Sequence, residues 1–401
     1  MVDDREISER LSFVIMSNME NIMKHISKLA LALAGVAGLA LSAESAQAQL
    51  VLNGTGSSAG RLFAGNSPAL VCDAAPTPLL FVSSEGTPNK YEWQCTINGV
   101  ANSRVRYSAT NSSDGFEKQP IGIGQAVYLN TAGCPAGVAT TILGRTVLRS
   151  VCSAATPTQT LTVHWGGSDV EASSLKQNAG GVGQNPPPAA HLITEPTVIV
   201  PFAIVVGRDV LQAAPATPLA SLTLSQLRQV LDPPVAGNNW TTFGYDTRTA
   251  NKAITVCQRQ GGSGTIAALD QTVMQTPFWG TPTYRGVSNP SSSNVITCIN
   301  SNPNSIGYID SDSVNATNFP AVGGVAPYQI QIGGYSVNAG ALGTGKARLN
   351  ALRCGRYPYW ANWNFITRSA GTQAPPINAV AGTDAAISDL QISMVANNPL
   401  P

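Results

Sequence analysis

The chain has 401 residues, and Asp, Glu, Lys and Arg make up only 11% of it, against roughly 25% in ordinary soluble proteins. Ser, Thr, Asn, Gln and Gly must therefore do most of the solvating. The formal net charge is +1, and no basic stripe runs along the sequence, which argues against nucleic acid as a partner.

In chain order, Lys24 and Lys28 precede an apolar run over residues 29–41, and Ala46-Gln47-Ala48 places small residues just before Gln49. A basic stretch, a short apolar run and a small-residue cleavage site predict a secretory signal peptide. The run is too short to span a bilayer of about 30 Å, and no cysteine marks the cleavage site for a lipid anchor. Residues 1–22 read as an upstream extension with Met23 as the start. Residues 1–48 are therefore expected to be extension plus signal peptide, and the mature chain is expected to be periplasmic or secreted. Without those residues, 19 Lys+Arg face 16 Asp+Glu, a net charge of +3. A mature chain of about 350 residues exceeds what one core usually supports, so two lobes are expected.

All seven cysteines lie after residue 48. With an export signal, disulfides are the leading reading. Sequence order suggests Cys72–Cys95, Cys134–Cys152 and Cys257–Cys298, leaving Cys354 over. No C-x-x-C occurs and only His164 and His191 remain after cleavage, which argues against zinc. No cofactor is expected.

Residues 50–62 open with alternating apolar side chains and turn Gly/Ser-rich, reading as a strand then a loop. Residues 66–103 carry Pro, Gly and two cysteines and read as a stapled, loop-rich insertion. Val105, Tyr107 and Ala109 alternate with polar residues and predict a strand, followed by a loop at Asn111-Ser112-Ser113-Asp114-Gly115. Residues 130–160 read as a second cysteine-bearing insertion. Residues 160–165 predict a strand ending in the turn Gly166-Gly167-Ser168-Asp169. Residues 180–188 read as a Gly/Pro connector, and residues 197–206 as a buried β-branched strand. Thr223 followed by Gln226 forms a capping box for a short helix with Leu224, Leu227 and Leu231 on one face. A strand is expected over residues 254–257 and a helix over 266–274. Strands alternating with helices indicate an α/β architecture.

Between that last strand and helix lies Arg259-Gln260-Gly261-Gly262-Ser263-Gly264-Thr265. Helix N-termini expose unpaired N–H groups and about half a positive charge, a setting that suits oxyanions. Ser263 and Thr265 add hydroxyls, and Arg259 adds a permanently charged two-pronged donor. The lysine that ends a Walker loop is missing, and Thr265 stands where a nucleophile elbow needs glycine.

Three further loops accompany it: Asn53-Gly54-Thr55-Gly56-Ser57-Ser58, Ser112-Ser113-Asp114-Gly115 and Gly166-Gly167-Ser168-Asp169. In this order the four loops resemble the PstS-like phosphate-binding components of bacterial phosphate ABC transporters, which are type II periplasmic binding proteins. The likeness extends to Leu222-Thr223-Leu224 running on to Trp240, and to Ser305-Ile306-Gly307-Tyr308-Ile309-Asp310. It implies a two-lobed α/β fold, each lobe a mixed sheet flanked by helices. Lobe I would comprise residues 49–202 plus 359–401 and lobe II residues 203–358, with hinge crossings near Val200 and Tyr359. It implies that Ser58, Ser112, Asp169, Arg259, Ser263, Gly264 and Thr265 line a cleft that captures inorganic phosphate, or a similar oxyanion, without chemistry. An ABC-transporter membrane component is the implied partner.

Asp169 suits such a cleft because a carboxylate only accepts hydrogen bonds. Monohydrogen phosphate can donate one and sulfate cannot, so Asp169 would favour the former. The chain departs from the family at Gly261, where Asp is usual, and at Ala59, where Phe is frequent. The family's long first helix is replaced by residues 66–103. Two other readings remain open on the sequence. One is a structural or adhesive surface protein, self-associating and reusing the fold, motivated by low charge and the odd Cys354. The other is a hydrolase using His164 beside the third loop. The aromatic residues Tyr357, Tyr359, Trp360 and Trp363 read as packing for the second crossing.

Overall fold

The computed structural model describes residues 49–84, 88–117, 124–175, 192–214, 216–232, 238–275, 286–337, 350–368 and 389–392. The expected extension and signal peptide (1–48) and the connector at 180–188 lie outside them. Among the described residues no helix is long and apolar enough to cross a membrane.

The first strand, β1 (Val51–Ser57), is buried along nearly its whole length and is followed by a short helix, α1 (Arg61–Asn66). Strands β2 (Leu79–Val82), β3 (Lys90–Ile97) and β4 (Val100–Thr110) follow, then helix α2 (Ser112–Glu117). Next come β5 (Gln125–Leu129), β6 (Val138–Ile142), β7 (Arg145–Val151), β8 (Thr158–Thr162), β9 (Trp165–Ser168) and the 15-residue β10 (Leu192–Val206). The rest comprises β11 (Val210–Gln212), β12 (Ser221–Leu222), α3 (Leu224–Leu231), β13 (Tyr245–Thr247), β14 (Thr255–Arg259), α4 (Gly264–Leu269), β15 (Gly286–Asn289), α5 (Ser292–Ser301), β16 (Ser305–Asp310), β17 (Tyr328–Ile332) and β18 (Trp360–Arg368). This is the expected α/β class.

Two trios of parallel strands position the site. In one, β1 lies parallel to β4 and to β9. In the other, β14 lies parallel to β15 and to β16. Ligands of parallel sheets bind beyond the carboxyl ends of the strands, and here both trios have such ends. Long β10 links them. Its first part runs antiparallel to β18, and its last five residues run antiparallel to β16. Strand β18 in turn runs antiparallel to β9.

Aromatic packing fixes the first trio from below. Trp165 is stacked between Tyr107 and Phe365, with ring centroids 5.2 and 5.0 Å apart. Such pairs add about 0.5–1.5 kcal/mol beyond their buried area. Tyr357, Tyr359 and Trp363 are fully buried, as expected of packing residues, while Trp360 is half-buried.

Several sequence expectations are corrected. Residues 66–103 carry sheet where loop was expected: β2 pairs antiparallel with β3, and β3 with β4. The Pro and Gly residues punctuate the connections, not the strands. The same holds at 130–160, where β6 and β7 form a hairpin that joins β2 and β8 pairs with β5. The Asn111–Gly115 stretch was expected as loop, but helix α2 starts at Ser112. Gly166-Gly167-Ser168 was expected as a turn and belongs to β9. Its glycines serve close approach: a Cβ on Gly167 would lie 2.2 Å from Trp363 Cζ2. The strand expected at 254–257 runs on to Arg259, and the helix expected at 266–274 begins at Gly264, giving way to a π-turn at Asp270–Met274. The capping box of α3 is present, with Thr223 and Gln226 each bonding the other's backbone N–H.

The three disulfides follow sequence order: Cys72–Cys95, Cys134–Cys152 and Cys257–Cys298. Cys354 is free and exposed.

Candidate functional site

Each candidate segment sits at the carboxyl end of a parallel strand or just beyond it, and buried tyrosines hold two of the four. Asn53–Ser57, expected as a loop, is the body of β1. The Tyr107 hydroxyl donates to Ser57 O at 2.7 Å, behind the first loop. The Tyr359 hydroxyl donates to Thr265 O at 3.0 Å, and the Arg259 backbone N–H donates to the Tyr308 hydroxyl at 3.2 Å. These long-range bonds tie the loops to the core rather than to their own strands, so loop geometry is set by packing.

Around this frame the seven expected residues gather in two adjoining sets. In the first, Asp169 is fully buried at the end of β9. The Ser112 hydroxyl donates to its Oδ2 at 3.2 Å, and the Ser57 hydroxyl donates to Oδ1. Gly264 presses against both partners: a Cβ there would lie 2.3 Å from Ser112 Oγ and 2.7 Å from Asp169 Cβ. Only a residue without a side chain lets α4 approach this closely. Ser263, the N-cap of α4, has a buried hydroxyl with no hydrogen-bond partner among the described residues. Thr265 is buried beside it.

The second set centres on Arg259, only 2% exposed. Its Nη1 donates to Ser58 Oγ at 3.3 Å and Ser292 Oγ at 3.1 Å. Its Nη2 donates to Asn111 Oδ1 at 2.9 Å and Pro290 O at 3.3 Å. Ser58 and Ser292 also share a hydrogen bond of 3.1 Å. All four partners are neutral, and Arg259 Nε has no partner among the described residues. A buried cation held only by neutral groups is costly unless a counter-charge is supplied.

The electrostatics point the same way. Burial pushes the Asp169 carboxyl up to about 6, against the hydroxyls of Ser57 and Ser112 and the charge of Arg259. Burial also draws the Arg259 guanidinium below its ordinary value, with Asp169 leading the groups that resist. A second buried arginine, Arg61 on α1, is held differently. It donates to Ser58 O at 2.5 Å, to Asp310 Oδ2 at 3.1 Å and to Ser313 Oγ at 2.6 Å. Burial opposes the Arg61 charge, but Asp310, Asp312 and Tyr91 together more than offset it and raise the guanidinium pKa.

A cavity of about 420 Å³ opens over this cluster. Its lining includes Ser58, Asn111, Pro290 and Ser292, which are all four partners of the Arg259 fork, and also Arg61. Of the seven expected residues, Ser58 lines it directly, and Arg259 lies one polar layer below.

Sequence reading did not single out Ser57, Asn111, Ser292, Arg61 or Asp310. Ser57 and Asn111 adjoin chosen residues. Ser292 had a usable signal, because Ser291-Ser292-Ser293 precedes Val295, Ile296 and Ile299 and so marks a helix start; the Ser291 hydroxyl indeed caps α5 through the Asn294 N–H. His164 is buried, and its Nδ1 accepts the Asn53 backbone N–H at 3.0 Å, a strand-bracing role. Among the described residues no cluster of three or more His, Cys, Asp or Glu could hold a metal ion.

Residues 133–384 match the family described as the PBP superfamily domain. No curated protein matches the chain. Among solved structures, an ABC-type phosphate transport receptor from Vibrio cholerae is 17% identical, covering 57% of this chain and 74% of that one, with a TM-score of 0.34. PstS from Borrelia burgdorferi is 12% identical over 85% of this chain and 92% of that one, with a TM-score of 0.35. A hydrogen-peroxide-bound cysteine-to-serine mutant of OxyR from Corynebacterium glutamicum is 9% identical over 92% of this chain and 74% of that one, with a TM-score of 0.37. All three likenesses are remote in sequence and in backbone superposition.

Proposed function

We propose that this chain, which belongs to the PBP superfamily, captures a tetrahedral oxyanion, phosphate foremost, at the Arg259 site without transforming it. One observation carries this reading. Arg259 is a fully buried cation whose guanidinium meets only neutral acceptors and keeps its Nε without a described partner. An arriving anion would supply the missing charge, and the Ser263 hydroxyl, which also has no described partner, would supply a further donor. Ser58, Ser112, Gly264 and Thr265 complete the setting. Asp169 would accept a proton-bearing oxygen of phosphate and disfavour sulfate, and the missing carboxylate at Gly261 makes it the main acidic discriminator in this reading.

Capture would proceed by closure of two lobes, residues 49–202 plus 359–401 and residues 203–358, about β10 and the start of β18. Residues 1–48 would direct export, leaving a periplasmic or secreted protein that delivers its ligand to an ABC-transporter membrane component. Calorimetry on ligand-stripped protein tests the reading. Phosphate should bind at micromolar concentration or below, with sulfate much weaker; no heat with either anion would refute it. A second reading, a self-associating surface protein, is favoured by one feature, the exposed free thiol of Cys354. Sedimentation under reducing and oxidising conditions separates the two.

A further inference from the structure

The cavity is much larger than a bare oxyanion needs. Its 420 Å³ would hold about fourteen waters at roughly 30 Å³ each, whereas phosphate has five heavy atoms. Pockets in this size range take organic ligands. The cavity is also not apolar. Beyond the residues touching Arg259, it is lined by Asn89, Lys90, Ser108, Thr110, Asp114 and Gln125, so hydroxyl and amide groups dominate. Among the described residues no aromatic ring lines it, so none of them offers a base a surface to stack upon. Ser291, Ser292 and Ser293 also line it, at the start of the ten-residue helix α5. The leading N–H groups of a helix have no intrahelical acceptor and favour an anion. Lys90 lines the cavity and forms no ion pair with a described carboxylate.

Resting on the anion-capture reading above, we infer that the preferred ligand is a phosphomonoester of a small polyol. Its phosphoryl group meets Ser58 and Ser292 at the start of α5, directly in front of the Arg259 fork that both serines bond. Its hydroxyl-bearing part runs outward past Thr110 towards Asn89, Lys90 and Gln125. The ester oxygen faces the cavity, so the terminal oxygens stay free for the serine donors, with the Arg259 charge behind them. The side chains along the path offer both donors and acceptors, as a polyol requires.

The test is calorimetry of the purified, ligand-stripped protein near neutral pH with glycerol 3-phosphate, inorganic phosphate and glycerol. The expected result is that the ester binds about tenfold or more tightly than inorganic phosphate, and that glycerol alone gives no heat. Gln125 is exposed at the cavity wall, so Gln125→Trp should fill the outer space. It should erase the ester's advantage while leaving inorganic phosphate affinity unchanged. Asn89→Trp, also at an exposed position, does the same from the other wall if the first variant is poorly folded. Inorganic phosphate binding as tightly as the ester overturns the inference and leaves anion capture standing. An ester advantage that survives both tryptophans overturns the placement. Failure of both anions to bind overturns the anion-capture reading as well.

Discussion

Two arginines are buried within one small region of this molecule, and they are satisfied in opposite ways. Arg61 has a carboxylate: Asp310 lies 3.1 Å away, and Ser313 Oγ and Ser58 O accept from it as well. Arg259 has hydroxyls, an amide oxygen and a carbonyl, but no hydrogen-bonded carboxylate among the described residues. Both residues are 5% exposed or less, so solvent makes good neither deficit. On the anion-capture reading, the difference separates a structural charge from a functional one. A paired charge is complete before any ligand arrives, whereas an unpaired one leaves the apo protein short of an anion.

The largest effect should come from breaking the complete pair. Arg61→Ala leaves the Asp310 carboxylate buried without its partner, and removal of one member of such a pair costs about 3–5 kcal/mol. Burial works against the Asp310 charge, and Arg61 and the Ser313 hydroxyl are among the groups that hold its pKa below the ordinary value. Denaturant unfolding should show the loss, and Asp310→Asn in the Arg61→Ala background should restore much of it. A loss below about 1 kcal/mol would place Arg61 among ordinary surface charges.

Arg259→Ala should do the reverse. It removes a charge that has no carboxylate partner, so apo stability should hold or rise. Oxyanion affinity should fall by at least about a hundredfold, near 3 kcal/mol. If stability falls as far as in Arg61→Ala while binding survives, Arg259 belongs to the scaffold and the comparison fails.

A smaller contrast concerns the carboxylates beside the two arginines. The Asp169 pKa is pushed up to about 6 from an ordinary 3.8. Between those values the folded protein binds more protons at this site than the unfolded chain. Stability therefore falls as pH rises through that window, and above about 6 the loss is complete, about 2–3 kcal/mol in size. Asp310, held low, contributes the opposite slope at more acidic pH. Unfolding of ligand-free wild type and Asp169→Asn from pH 4 to pH 7 isolates the Asp169 contribution. Equal pH slopes in the two proteins would refute it.

The sequence carries the α/β class and one strand-to-helix junction further than it carries the elements between them. The junction holding Arg259, Ser263, Gly264 and Thr265 is legible because a strand, glycines, hydroxyls and a helix start leave a dense local pattern. The disulfides are legible from order alone. Residues 66–103 mislead because proline and glycine in the connections mask the short strands between them, whose pairing is non-local. Gly166 and Gly167 mislead for a related reason. Glycine in a turn and glycine under a tryptophan look the same in sequence, and only packing distinguishes them. Arg61 is not legible at all, since its partner Asp310 lies 249 positions away.

The smallest expected effect tests the apo deficit most directly. Ser263 Oγ is buried without a partner among the described residues, so Ser263→Ala removes no described hydrogen bond from the ligand-free protein. A buried polar atom that bonds nothing costs stability, so its removal should leave unfolding unchanged or raise stability by up to about 1 kcal/mol. Were Ser263 an ordinary helix cap, the same substitution would instead cost about 1 kcal/mol. Its hydroxyl donates to no described group, and the N-cap side chain accepts no hydrogen bond from α4. If the site captures an oxyanion as proposed, the hydroxyl gains an anion to donate to, and a charge-assisted bond is worth about 1.5–3 kcal/mol. Ser263→Ala should therefore weaken oxyanion binding by about tenfold or more while apo stability holds. Opposite signs in the two measurements mark a group kept for its ligand, whereas a loss in both would make Ser263 a cap that stabilises α4.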